Sequence, residues 1–150
     1  MAASSVSYGA SFKTRQNAFT KFGYTFNGWN EKADGTGTAW GITSSHNGTY
    51  ESGNAWTWTY TKNITLYAQW KPWTYTIKYF PNGGSGSATT SSHTYDTASV
   101  LKANVFTRSG YNFLGWSTST TGAVVYQDGA AAPQNIDSDG ETLNLYAVWS

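Results

Sequence analysis

Few residues in this chain have the types and spacing that chemistry needs. Cysteine is absent, and the two histidines, His46 and His93, stand alone with no Asp or Glu at the spacing of a zinc site. Glu31, Asp34, Glu51, Asp128 and Glu141 are acids of the kind that flank a scissile glycosidic bond, yet nothing in the sequence sets two of them across a cleft. Serine and threonine are plentiful without a Gly-x-Ser-x-Gly elbow. Asp137-Ser138-Asp139-Gly140-Glu141 alternates oxygen ligands like a fragment of a calcium loop but lacks the remaining ligands of an EF-hand, and it reads as a solvated turn. The expectation is a protein that is not an enzyme and carries no cofactor and no metal.

Rings supply the chemistry that is left. The chain holds 8 Trp, 11 Tyr and 7 Phe, and in Ala55-Trp56-Thr57-Trp58-Thr59-Tyr60-Thr61 they alternate with hydroxyls. On a strand, Trp56, Trp58 and Tyr60 share one side and the threonines the other. Such a row can stack on the apolar face of a sugar while neighbouring polar groups orient it, with Trp40, His46 and Tyr50 at its border.

The elements that must position these residues are strands. Gly, Ser, Thr and Asn punctuate short β-branched and aromatic runs, the composition of many short strands joined by tight turns, and helix has little support. Ile64, Leu66, Ala68 and Trp70 alternate with polar or outward residues, and Leu143, Leu145, Ala147 and Trp149 repeat the pattern, so each predicts a half-buried strand. Tyr75-Thr76-Ile77-Lys78-Tyr79-Phe80 predicts another, followed by a flexible turn at Pro81-Asn82-Gly83-Gly84-Ser85-Gly86-Ser87 and a strand near His93 to Tyr95.

These elements occur twice. Gly23-Tyr24-Thr25-Phe26-Asn27-Gly28-Trp29, closed by Leu66-Tyr67-Ala68-Gln69-Trp70, recurs as Gly110-Tyr111-Asn112-Phe113-Leu114-Gly115-Trp116, closed by Leu145-Tyr146-Ala147-Val148-Trp149. Residues 8–29 laid over 95–116 without a gap give 9 identities in 22 positions. The sequence therefore predicts two tandem modules, residues 1–70 and 74–150, with a short Pro-containing joint at 71–73. Each is small for a self-supporting core, and without disulfides the rings must provide it; the shared Gly-Tyr-x-Phe-x-Gly-Trp aromatics are assigned to that core.

The copies differ in two ways. The first has no counterpart to the opening strand at 75–80, and it is longer in the middle: Gly28 to Leu66 spans 38 positions against 30 from Gly115 to Leu145. The aromatic run lies in that extra length, and Trp58-Thr59-Tyr60-Thr61 resembles Trp73-Thr74-Tyr75-Thr76. Three roles are open to it: a strand that covers the core face left bare, a ligand platform formed by Trp40, Trp56, Trp58 and Tyr60, or an exposed patch that meets another module. An unfinished sheet also leaves an unpaired edge, able to accept a strand from a neighbouring repeat or a second copy.

Charge excludes other partners. Only 11% of residues are charged and the net charge is +1, with no basic stripe, so nucleic acid is not expected. No apolar run approaches the ~20 residues that cross a bilayer, so no membrane insertion is expected of this fragment.

The aromatic-x-Gly-Trp motif, the Gly/Thr/Ser-rich middle and the closing Leu-Tyr-Ala-x-Trp resemble the Listeria–Bacteroides repeat, the B-repeat of internalin-type surface proteins. The second copy resembles it from Tyr75 to Trp149, the first from Tyr8 onward. The resemblance implies a mainly β fold of two β-grasp-like modules displayed on the cell surface or cell wall, outside the cell, or else in a phage particle. It implies adhesion, spacing or presentation towards a host or cell-surface protein or glycan, and supplies no catalytic residues.

Overall fold

The computed structural model describes residues 3–12, 17–40 and 56–150, with Trp56 described by its backbone alone. The chain divides into two compact units, Met1–Lys71 and Pro72–Ser150. Its elements are β1 (Ser11–Phe12), β2 (Tyr24–Asn30), β3 (Ala39–Trp40), β4 (Trp56–Thr57), β5 (Tyr67–Pro72), β6 (Thr74–Phe80), β7 (Thr89–Thr94), β8 (Phe113–Ser117) and β9 (Thr142–Trp149). No helix occurs among the described residues.

The second unit is one four-stranded sheet in the order β7-β6-β9-β8. β6 pairs antiparallel with β7 and parallel with β9, with Ile77 opposite Leu143 and Tyr79 opposite Leu145. Two antiparallel pairs joined through a parallel central pair make the strand order of a β-grasp. Strict alternation in β6 turns Tyr75, Ile77 and Tyr79 into the core, each no more than 2% exposed, against Leu101, Phe106, Trp116, Ile136 and Leu145. Trp116 anchors that core, with the rings of Tyr79, Phe106 and Phe113 at 4.9, 6.1 and 5.0 Å.

The β6–β7 connection is more ordered than a Gly/Ser run suggests. Asn82 and Gly83 both take positive φ and the Gly84 amide donates to Pro81 O at 2.9 Å, a primed turn that suits the twist of a hairpin. Asn82 Nδ2 also donates to Thr120 O and Ala147 O, and the Ser85 amide donates to Thr107 O, so the expected flexible turn is pinned. β7 runs over Thr89–Thr94 rather than near His93 to Tyr95, because its Thr and Ser residues pair fully along β6 without any apolar alternation to announce them.

The first unit repeats part of this plan. β2 and β5 correspond in sequence to β8 and β9, and with β3 they form a sheet in the order β3-β2-β5. Local packing is duplicated closely. Phe26 meets Trp29 at 5.2 Å and Trp70 at 5.8 Å, as Phe113 meets Trp116 at 5.0 Å and Trp149 at 5.6 Å. Asn17 brackets Phe19 with hydrogen bonds of 2.8 and 2.9 Å, as Asn104 brackets Phe106 at 3.0 and 2.9 Å. Lys21 lies over the Tyr24 ring at 3.6 Å and Arg108 over Tyr111 at 3.9 Å. The identities shared by the two copies are thus spent on turns and ring contacts. Among the described residues, the first unit has no strands in the places of β6 and β7, so β5 is an edge strand.

Candidate functional site

The candidate site is an aromatic cluster of the first unit. Tyr60 follows β4, whose residues Trp56 and Thr57 pair with Phe12 and Ser11 of β1. The pairing continues past β4, since the Trp58 amide donates to Ala10 O at 2.9 Å and the Gly9 amide to Trp58 O at 2.8 Å. The inserted strand therefore joins β1 and does not enter the sheet of β5 among the described residues. Its rings account for the choice, because Phe12 packs edge-on against Trp58 at 5.2 Å and against Trp40 at 6.2 Å.

Three of the four residues expected to form a platform come together. Trp40, on β3 opposite Trp29, lies 6.3 Å from Trp58 and 5.6 Å from Tyr60, and Trp58 lies 5.2 Å from Tyr60. The rings are tilted by 39–47° to one another, so they form a packed cluster and not a coplanar row. Trp40 is buried, while Trp58 and Tyr60 are half-buried. The side chain of Trp56, and both His46 and Tyr50, lie outside the described residues.

Glu31 holds the cluster's polar edge, accepting from Trp40 Nε1 at 3.1 Å and from the Tyr60 hydroxyl at 2.8 Å. That hydrogen bond, with burial and the nearby negative charge, pushes the Tyr60 phenol above its ordinary value. Sequence reasoning counted Glu31 only as an unplaced acid, and no local signal ties it to rings nine and 29 residues away. Asn30 was missed as well. Its amide donates to Gly35 O and Gly37 O, and its carbonyl accepts from the Lys32 and Gly37 amides, which closes the loop between β2 and β3.

Beside the cluster opens a cavity of about 840 Å³ whose walls include Tyr8, Phe12, Phe19, Trp29, Trp58, Tyr60 and residues 61–66, with 3–6 at one margin. Its lining mixes aromatic and aliphatic side chains with Thr61, Lys62, Asn63 and Thr65 and includes no Asp or Glu. A cavity of this volume is large enough for a small ligand or a peptide segment.

The other chemical candidates among the described residues have structural partners, and Glu51 lies outside those residues. Asp139 Oδ1 accepts from the Thr74 amide at 2.8 Å, and Glu141 accepts from the Asp137 amide at 2.6 Å, so the acidic turn ties down the start of β6. Among the described residues, no group of three or more His, Cys, Asp or Glu is placed to hold a metal ion. His93 is buried between Ser91 Oγ at 2.6 Å and Ser99 Oγ at 2.8 Å and stacks on Tyr75 at 5.3 Å, and burial lowers its pKa. It is a core histidine that links β6, β7 and the following loop.

A family model described as the Listeria-Bacteroides repeat domain matches residues 1–69 and 75–148. A protein of Evansella cellulosilytica named "Putative Gly-rich membrane protein" is 31% identical over 137 residues, which is 89% of this chain and 13% of that protein. A second protein of the same organism, named "Putative membrane protein", is 35% identical over 92 residues, 59% of this chain and 13% of its own length. The chain thus spans about an eighth of the length of the curated relatives it matches. No solved structure matches it.

Proposed function

Because the chain belongs to the Listeria-Bacteroides repeat family, we propose that it is a non-catalytic segment of a bacterial surface protein that spaces and presents other parts of that protein outside the cell and takes part in adhesion. The observation that carries this reading is the duplicated packing. The pairs Phe26–Trp29 and Phe113–Trp116, with the Asn17 and Asn104 turns, preserve a scaffold in two copies. The variable length, in contrast, goes into an aromatic insertion on one copy. A repeated scaffold with local elaboration suits an array whose product is surface, not turnover. Relatives named as membrane proteins support a location at the cell envelope.

Protease treatment of intact cells carrying the full-length parent tests the reading. Loss of the repeats to external protease, with a cytosolic marker intact, is the expected outcome, and protection of the repeats until the cells are lysed would overturn it.

A second reading, glycan binding through Trp40, Trp56, Trp58 and Tyr60, draws support from the cavity, which Trp58 and Tyr60 line beside polar residues. Titration with cell-wall and host oligosaccharides, followed by tryptophan emission, tests it. A saturable shift that is lost in Trp58→Ala supports this reading, and an unchanged spectrum at millimolar sugar refutes it.

A further inference from the structure

We infer that the cavity of the first unit is the empty seat of a β-strand, and that its occupant is an extended peptide of the Tyr-x-Ile-x-Tyr pattern, added parallel to residues 63–67. This deepens the proposed adhesive role by naming the kind of partner the surface takes.

The second unit shows what fills the seat. There β6 lies between β7 and β9 and inserts Tyr75, Ile77 and Tyr79 against Phe106, Trp116 and Leu145. The equivalents of those three core residues in the first unit are Phe19, Trp29 and Leu66, and all three line the cavity. Phe106 is 4% exposed and Phe19 44%; Leu145 is buried and Leu66 is not. The other face tells the same story, since Tyr146 stacks on Phe80 at 5.0 Å whereas its equivalent, Tyr67, is 43% exposed. Among the described residues, then, no strand lies beside β5 on that edge, and Phe19, Leu66 and Tyr67 are more exposed than their equivalents, while Trp29 is buried.

The backbone agrees with the side chains. β9 is strand from Thr142, and its residues 142–146 are those paired with β6. β5 begins only at Tyr67, so the equivalent stretch, 63–66, belongs to no strand. It leads directly into β5, the edge strand of the β3-β2-β5 sheet among the described residues, and such an edge is the template that strand addition uses. Transferring the register of β6 on β9 places the central Ile of the incoming strand opposite Ile64 and the second Tyr opposite Leu66. Alternation then sends Tyr, Ile and Tyr into the cavity beside Trp29 and Phe19. The inserted aromatic strand pairs with β1 and, among the described residues, with no strand of the β3-β2-β5 sheet. Residues 3–6, small apart from Val6, also line the cavity.

The test uses the full 150-residue chain, isotopically labelled, and an unlabelled synthetic peptide of residues 73–95, the β6–β7 hairpin. At a peptide concentration ten times its Kd, hydrogen exchange at 63–67 slows roughly tenfold, with shifts at Phe19 and the Trp29 indole, and the same peptide carrying Ile77→Lys leaves them unchanged. Should the free peptide aggregate, the segment is joined ahead of residue 1 through a Gly/Ser linker, and the same protection is expected within one chain. Protection that fails in both formats overturns the inference, as does binding that perturbs only the second unit or equal protection by the Ile77→Lys peptide. The outcome is independent of the protease test, so the surface location can stand while strand acceptance falls.

Discussion

Phe19 and Phe106 offer an internal control, since they occupy equivalent positions, carry the same Asn bracket, and differ in what covers them. In a closed core, Phe→Ala costs about 3–5 kcal/mol, part of it lost transfer energy and part the cavity left behind. Phe106, at 4% exposed, should show that full cost. Phe19, at 44% exposed, keeps roughly three-fifths of the covered area of Phe106 and faces a cavity that already exists, so only a reduced transfer cost remains. The expected loss for Phe19→Ala is about 1.5–2.5 kcal/mol, and the gap between the two substitutions is about 2 kcal/mol. Urea unfolding followed through amide resonances assigned to each unit reads the two losses separately. Equal losses, within about 0.5 kcal/mol, would refute the reasoning, because they would mean that the first unit's core is as well covered as the second's.

Three further substitutions follow from the geometry. Gly115 sits at φ +145 with Tyr126 O and Val124 Cγ1 each 2.6 Å from the position of a Cβ, so Gly115→Ala should cost about 1–3 kcal/mol in urea unfolding. Gly129→Ala, with open space around it, should cost only the milder strain of its positive φ, about 1 kcal/mol. Burial lowers the His93 pKa, so the unfolded chain takes up that proton first. The stability of the second unit should accordingly be greatest above about pH 6.5, fall as pH drops below it, and level only beneath the folded value. His93→Gln should flatten the thermal midpoint of that unit between pH 6.5 and 5, a window that carboxylates barely enter.

Much of the scaffold was legible in the sequence because the chain repeats itself. Gly28-Trp29 and Gly115-Trp116, with the two closing Leu-Tyr-Ala-x-Trp runs, mark β2, β8, β5 and β9, and the apolar alternation of 75–80 marks β6. The gap-free match of 8–29 to 95–116 also left the strand at 75–80 without a counterpart in the first copy. β7 was hard to place because Thr89 to Thr94 carries no apolar alternation; its strand character comes from pairing with β6, whose partner residues lie 10 to 20 positions away.

The aromatic run was read as a strand bearing rings, and Trp56–Thr57 of it forms β4, while its pairing partner was not legible. That choice was decided by Phe12, whose ring meets Trp40 and Trp58 across distances in sequence that no local pattern encodes. The same holds for Glu31, an isolated acid until Trp40 and Tyr60 fold over it. Of the candidate platform, the sequence placed Trp56, Trp58 and Tyr60 on one side of a strand with Trp40 elsewhere, whereas packing tilts the rings of Trp58 and Tyr60 against each other and against a buried Trp40.

The central claim is that the first unit has the second unit's packing without the strand that lies beside β9. Residue-resolved native-state hydrogen exchange on the unmodified chain tests it most directly. The account predicts protected amides at 143 and 145, the residues of that stretch whose N–H groups face β6, beside rapid exchange at 64 and 66, their equivalents in sequence. Comparable protection of the two stretches would contradict it.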